Sequence, residues 1–249
     1  LSRLRHPHPR QAAWVSAISL IVKLALLNSV SGWMIALGVA LVLMLVNMLT
    51  LRTRAAALLT VGFGLGFTGT ALDYFTDQLG FGWVMVLLAA TLWLLWLLQD
   101  GLLQFDQGEL LQLYAEAANL WAVGLGTVSL LSLSFYSLTH ALGLITTDQL
   151  EPGTPLRLVI SSLLLVSAIA YRIWRQGSSE LAFVGLGWAA ELLLILGVSW
   201  QNGSTETLAL LTLGLGLATQ LAGDRWVKRT GQPYRMVWHW MPLIYAGFG

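Results

Sequence analysis

The feature that most constrains the fold is a series of long apolar runs separated by short polar connections. A helix needs about 20 mostly apolar residues to cross the hydrocarbon core of a bilayer. Backbone groups in lipid must be satisfied internally, and no segment shows the alternating pattern of a barrel strand. We therefore predict an all-α, polytopic helical membrane protein with about eight transmembrane helices. The predicted spans are 12–30, 33–51, 55–73, 82–99, 117–140, 156–173, 180–200 and 207–223.

The composition agrees with a membrane location. Hydrophobic residues make up 57% of the chain and charged residues 10%, with a mean hydropathy of +0.73. Soluble domains carry about 25% charged residues. The net charge of +1 argues against a nucleic-acid partner. The chain has no Cys, which excludes disulfides, thiolate zinc sites and cysteine nucleophiles.

The chain is expected to form a single membrane-embedded domain over 1–249, with a basic cytoplasmic tail at 1–11. It starts without Met and ends in an apolar run, so we expect it to be truncated, with 224–249 as the start of a further segment and a ninth helix from near Tyr234. Residues 99–116 are acidic with an apolar side. They either lie in the membrane interface as a short helix or extend the flanking spans.

Lys and Arg are distributed unevenly among the connections. Numbering the connections alternately from the N-terminal tail places eleven basic residues in one set and only Arg157 in the other, while Lys23 lies within a span. Cytoplasmic loops carry an excess of Lys and Arg. We therefore predict that both ends are cytoplasmic, in a bacterial plasma membrane, with a thylakoid membrane as the alternative. The eleven are Arg3, Arg5, Arg10, Arg52, Arg54, Arg172, Arg175, Arg225, Lys228, Arg229 and Arg235.

Glycine pairs recur at regular spacing in three of the predicted spans, with offsets of 62 and 61 residues. This spacing predicts a helical hairpin of about 61 residues that is repeated in parallel. Glycine allows helix backbones to approach closely, so these positions are predicted helix-packing sites. The pairs are Gly62 and Gly64, Gly124 and Gly126, and Gly185 and Gly187, with a further pair, Gly214 and Gly216, on a returning helix.

The position four residues after the second glycine is polar in three of the four copies. It is Thr68, Glu191 and Gln220 in those copies and Leu130 in the remaining one. A polar group on a glycine-bearing face can form a hydrogen bond across a helix contact. We therefore expect Glu191 to mark a helix–helix interface and to face protein.

Two ionisable residues, Lys23 and Glu191, lie near the middle of predicted spans at similar depth. An ionisable residue inside the membrane is a functional hypothesis by default, here a proton or substrate relay. The structural alternatives are an ion pair between them, or a Lys23 that reaches the interface and a Glu191 that stays protonated. The structural alternatives are favoured.

The fifth predicted span carries a polar stripe on one helical face, made of Ser129, Ser132, Tyr136 and His140. The stripe either lines an aqueous cavity or forms hydrogen bonds between helices. No metal site is predicted, because a metal needs several convergent ligands. No cofactor is predicted either, with a pigment ligated by His140 as a minor alternative.

Four tryptophans lie deep within spans and are expected to pack between helices rather than to form a pigment or quinone site. They are Trp93, Trp96, Trp121 and Trp188.

Three functions fit this pattern, and no catalytic signature is present. The favoured one is a non-enzymatic membrane subunit or scaffold module, which packs in the bilayer with lipids and with other membrane subunits or the missing remainder of its own chain. The alternative is a transporter or channel that uses Lys23, Glu191 and the stripe from Ser129 to His140. A membrane transferase is a further alternative. Transport sites often lie on helices broken by proline, and no predicted span is interrupted in this way, which favours the scaffold.

Overall fold

The computed structural model describes residues 30–47, 52–76, 79–105, 108–141, 153–176, 179–201 and 203–230. In this part of the chain the protein is all-helical, and no strand occurs. The seven helices are α1 Val30–Asn47, α2 Arg54–Thr76, α3 Phe81–Phe105, α4 Glu109–Ala141, α5 Thr154–Gln176, α6 Glu180–Trp200 and α7 Thr205–Thr230.

Five helices, α2 to α6, are long and apolar enough to cross a membrane. The predicted all-α fold is therefore confirmed in the described residues, and the five apolar helices suggest a membrane location. The apolar parts of α1 and α7, Ser31–Val46 and Glu206–Leu221, are shorter than a full span. The first predicted span up to residue 29, Lys23 within it, and the ninth helix from Tyr234 lie outside the described residues.

Small polar residues begin three of these helices. The hydroxyl of Thr53 accepts from the backbone N–H of Ala56 before α2, and the hydroxyl of Ser179 accepts from Ala182 before α6. Ser204 does the same for Thr207 before α7. Such N-caps satisfy backbone donors that the first helical turn leaves unpaired. They explain why the helices start at the polar connections.

The acidic region 99–116 does not form a separate helix. Helix α3 continues to Phe105 and α4 begins at Glu109, so residues on both sides extend the flanking spans. This is the second of the two expectations for this region. Its depth in the membrane stays a prediction. Helix α7 similarly runs to Thr230 and takes up the first residues of the predicted segment 224–249.

The chain divides into two compact units. Unit 1 comprises 1–79 and 94–123, and unit 2 comprises 80–93 and 124–249. Helices α3 and α4 each contribute residues to both units.

In unit 1, α1 and α2 pack against each other as an antiparallel pair. A Cβ placed at Gly38 would lie 3.1 Å from the Phe67 ring, and one at Gly66 would lie 3.4 Å from Leu37. The packed apolar cluster contains Leu37, Ala40, Met44, Ala56 and Phe63.

In unit 2, α5 and α6 pack along their lengths. The first half of α3 packs on the second half of α4, where the ring of Phe81 stacks on Tyr136 with centroids 5.6 Å apart. The same part of α3 also meets the start of α5, because the guanidinium carbon of Arg157 lies 4.8 Å from the ring centroid of Trp83. The turn before α5 uses Gly153 at φ 84°, a left-handed conformation that favours glycine.

Many hydroxyl groups on these helices donate to a carbonyl three or four residues earlier in the same helix. Such bonds let a Ser or Thr lie in an apolar helix without a partner on another helix. The donors with this bond include Thr60, Thr68, Thr70, Thr76, Ser134, Ser137, Thr139, Ser161, Ser162, Ser167, Thr212 and Thr219.

Candidate functional site

All four deep tryptophans donate their indole N–H to a neighbouring helix. A buried indole N–H needs an acceptor, so these bonds fix which helices lie side by side. The prediction that these residues pack between helices is confirmed. The donor–acceptor distances are 3.0 Å from Trp93 to Ser167 Oγ, 3.3 Å from Trp96 to Asn119 Oδ1, 2.9 Å from Trp121 to the Leu58 carbonyl and 2.8 Å from Trp188 to Ser134 Oγ.

Three of the interhelical hydrogen bonds end on a hydroxyl that donates onward to its own helix. Because such a hydroxyl both accepts and donates, the two bonds polarise each other. These two-step relays run from Trp188 through Ser134 to the Leu130 carbonyl, from Trp93 through Ser167 to the Leu164 carbonyl, and from Tyr114 through Thr60 to the Ala56 carbonyl.

Glu191 lies halfway along α6 and is buried within unit 2. Its side chain is 4% exposed, which confirms that it faces protein. Its Oε1 atom has no hydrogen-bond partner among the described residues. A charged carboxylate at the centre of a membrane helix costs roughly 2.5–3.5 kcal/mol on insertion scales. Burying Glu191 in its charged form would therefore be costly in free energy.

The other two polar residues at the equivalent position are not in the same environment. Thr68 is exposed and donates to the Gly64 carbonyl of its own helix at 2.8 Å, so it needs no neighbouring helix. Gln220 is also exposed, four residues before Asp224 and near the end of the apolar part of α7. Among the described residues, Glu191 is buried at this position, whereas Thr68 and Gln220 are exposed. Lys23 lies outside the described residues.

The stripe on α4 packs mainly against other helices. Tyr136 is 6% exposed and stacks on Phe81, and the His140 ring meets the Tyr136 ring edge-on at 6.0 Å. His140 Nε2 also lies 3.5 Å from Ser199 Oγ on α6. Ser132 is half-buried. Ser129 is 1% exposed, and its hydroxyl has no partner among the described residues.

The predicted packing glycines differ in their surroundings. A Cβ placed at Gly62 would lie 2.6 Å from Trp121 Cζ2, and one at Gly126 would lie 2.8 Å from Leu92 Cδ1. Gly124 and Gly214 have no atom of the described residues within 4 Å of that position. Gly64 and Gly185 make ordinary contacts at 3.7 Å and 3.8 Å, and Gly187 and Gly216 are buried.

Metal binding and the acidic region 99–116 are two other candidate features of the chain. In the residues that the structure describes, no group of three His, Asp or Glu side chains is placed to hold a metal. In the acidic region, Glu116 Oε2 lies 3.0 Å from Arg54 Nε, with both side chains more than half exposed. This carboxylate therefore already has a partner in unit 1.

Sequence reasoning missed the acceptors of the tryptophan bonds. Ser134 and Ser167 receive Trp188 and Trp93, whereas the predicted stripe singled out Ser132. The available signal was the indole itself, since a tryptophan deep in a span requires an acceptor on some neighbouring helix.

Comparisons with protein-family models, with curated proteins and with solved structures find no match to this chain.

Proposed function

We propose that this chain is a non-enzymatic integral membrane subunit or scaffold module that packs with partners in the bilayer. The observation that carries this proposal is the use of polar side chains. The deep tryptophans and most buried hydroxyls are used in bonds between or within helices, and none of the seven described helices is broken. Such interhelical bonds hold membrane helices in fixed positions.

The eight spans, the cytoplasmic position of both ends and the repeat of about 61 residues belong to the same proposal. The tryptophan bonds support the adjacency of helices that such a repeat requires, because α4 lies beside α2 in unit 1 and α6 lies beside α4 in unit 2. Trp121 of α4 donates back to α2, and Trp188 of α6 donates back to α4. A bacterial plasma membrane remains the proposed location, with a thylakoid membrane as the alternative.

The apolar outer faces of α4 and α7 are the proposed contact surfaces for lipid and for partner subunits. On α4, large exposed side chains recur along one face over several turns, and α7 carries a similar set. Contiguous apolar surface of this kind is covered by lipid tails or by other membrane helices. The α4 residues are Leu120, Val128, Leu131, Phe135 and Leu138, and the α7 residues are Leu210, Leu213, Leu217 and Leu221.

A transporter or channel is the second candidate, and the buried Glu191 is the observation that favours it. A membrane transferase is a further candidate. It would present acidic or basic groups at the membrane interface, and in the acidic segment 100–116 Glu116 is paired with Arg54.

Reconstitution into vesicles separates the first two functions. A scaffold predicts that proton, sodium and potassium fluxes through purified protein equal those of empty vesicles. A flux above this background that is lost in Glu191→Gln, with folding retained, would overturn the scaffold and support transport.

The partner part of the proposal is tested in native membranes. A photoreactive amino acid at the exposed Phe135 should give discrete protein adducts, whereas one at the buried Leu133 is the matched control. Adducts with lipid alone at Phe135 would count against a partner on this face.

A further inference from the structure

Glu191 and Ser129 depart from the rule that the other buried polar groups obey. Most hydroxyls in the described helices donate to their own backbone, and the deep indoles donate to neighbouring helices. Glu191 Oε1 and Ser129 Oγ are the buried side-chain oxygens that have no partner in the described part of the chain. Both belong to unit 2. A buried polar atom without a partner calls for a missing proton, ion or water.

The helix register places Glu191 at about the level of a pair of buried serines on α5. Helices α5 and α6 are neighbours along the chain, and Ile169 of α5 meets Gly185 of α6. In an antiparallel pair, moving six residues along α6 to Glu191 corresponds to moving six back along α5, to about residue 163. Ser161 and Ser162, both 0% exposed, therefore lie within about one helical turn of this level.

On the α4 side, two contacts bracket the same position of α6. Trp188 and Ser199 on α6 meet Ser134 and His140 on α4, and Glu191 lies between the two α6 residues. The carboxyl group is thus enclosed at a level where α4 and α5 both supply hydroxyl groups.

Within the described part of the chain, none of the charged and titratable groups on the surrounding elements forms an ion pair with Glu191. The first half of α3, residues 81–93, has none. The facing part of α4 offers Tyr136 and His140, which pack on each other. On α5, Arg157 lies over Trp83, and Tyr171, Arg172 and Arg175 lie in the last two turns of the helix. On α6, Glu180 is exposed at the start of the helix. On α7, Glu206 is exposed at the start and Asp224, Arg225 and Lys228 are exposed near the end.

We propose that the enclosed carboxyl group of Glu191, beside the hydroxyls of α4 and α5, is a proton-binding site inside unit 2. A buried carboxylate with no cation beside it is neutralised when it takes up a proton. The neutral acid then has an O–H to donate, and serine oxygens can accept it. The inference does not depend on whether the chain has partners or transports a solute.

Infrared difference spectroscopy tests the proton directly. The spectrum of the wild type minus that of Glu191→Gln, both folded in nanodiscs at neutral pH, should show the C=O band of a protonated carboxylic acid. The band should shift in heavy water. Glu180→Gln, at the exposed start of α6, is the matched control and should leave the band unchanged. A difference spectrum that shows only carboxylate bands would overturn the proposal.

A hydrophobic carbodiimide provides an independent measurement, because it forms a stable adduct with protonated carboxyl groups in apolar surroundings. Mass spectrometry should locate the adduct on Glu191 and not on Glu180. Labelling should decline about tenfold per unit of pH once the acid ionises. If Glu191 is not labelled at any pH and the infrared acid band is also missing, then the carboxyl group is not protonated and the proposal is wrong.

Two further arms distinguish a proton from other neutralising groups. If sodium chloride protects Glu191 from carbodiimide labelling and choline chloride does not, then a metal cation rather than a proton neutralises the carboxylate. If the Lys23→Met variant shows an infrared acid band that the wild type lacks, then Lys23 neutralises the carboxylate in the wild type. Either result overturns the proposal, whereas labelling that is indifferent to sodium and to Lys23 supports it.

Discussion

The indole nitrogen of Trp188 lies 2.8 Å from the hydroxyl oxygen of Ser134, and that hydroxyl donates to the Leu130 carbonyl, also at 2.8 Å. This relay joins α6 to α4 three residues before Glu191. The Ser134 hydroxyl donates its hydrogen to a backbone carbonyl of its own helix. Its oxygen can therefore accept the hydrogen bond from the indole N–H of Trp188.

Removing the indole donor should therefore weaken the α4–α6 contact. We expect Trp188→Phe to lower the free energy of unfolding by about 1 kcal/mol, which is the usual range for such a bond. Unfolding in a series of mixed-detergent concentrations measures this. Trp174→Phe is the control, since Trp174 is 78% exposed, and an equal loss in both variants would deny the bond any specific role.

Gly62 and Gly124 form a matched pair of predicted packing glycines with opposite surroundings. A methyl group at Gly62 would collide with the Trp121 ring, whose N–H is held by the Leu58 carbonyl. We expect Gly62→Ala to destabilise the protein by about 1–3 kcal/mol, as overpacking does. Gly124→Ala has open space and should be neutral, or stabilising by up to about 1 kcal/mol through helix propensity.

The same unfolding measurement compares these two variants. If Gly62→Ala is as stable as Gly124→Ala, then the Trp121 ring moves freely and α2 and α4 do not depend on this close approach.

The topology can be tested without the segments outside the described residues. Between Arg52 and Gln201 the chain contains the five helices that are long enough to span. Since five crossings reverse the side, Arg52→Cys and Gln201→Cys should react with an impermeant thiol reagent from opposite sides of the membrane. The chain has no native Cys, so each label is unambiguous. If both cysteines react from the same side of the membrane, then the predicted topology is wrong.

The ion pair between Arg54 and Glu116 is exposed and should contribute little. We expect Glu116→Gln to change the free energy of unfolding by less than about 1 kcal/mol, and less still at high salt, because water screens the pair. The control is Glu109→Gln at the exposed start of α4. A much larger loss in Glu116→Gln alone would indicate that this acidic group has a role beyond the pair.

Hydropathy predicted the helices well because membrane burial depends on the sum of many apolar side chains. The start and end of α6 agree with the predicted span 180–200, and the polar Ser179 explains the boundary. The prediction from spacing does not distinguish residues whose side chains form different hydrogen bonds. Thr68 and Glu191 follow glycines at the same spacing, yet a threonine satisfies itself on its own backbone and a carboxyl group does not.

Interhelical partners could not be predicted, because sequence periodicity identifies a helical face without identifying what lies opposite. The stripe of Ser129, Ser132, Tyr136 and His140 is one such face. The acceptor for Trp188 is Ser134, two positions away from Ser132. Which hydroxyl receives an indole depends on how two helices cross, and that is decided by packing over many residues.

Hydroxyls that bond to their own helix also bear on how this protein is made. During synthesis each apolar segment enters the bilayer before later ones exist, and an unpaired hydroxyl would then lie in lipid. Thr60, Ser134 and Ser167 each have an acceptor within their own helix. The helices of Thr60 and Ser134 can therefore leave the insertion machinery before their partners are made, and Tyr114 and Trp188 bond to these hydroxyls only when the later helix arrives.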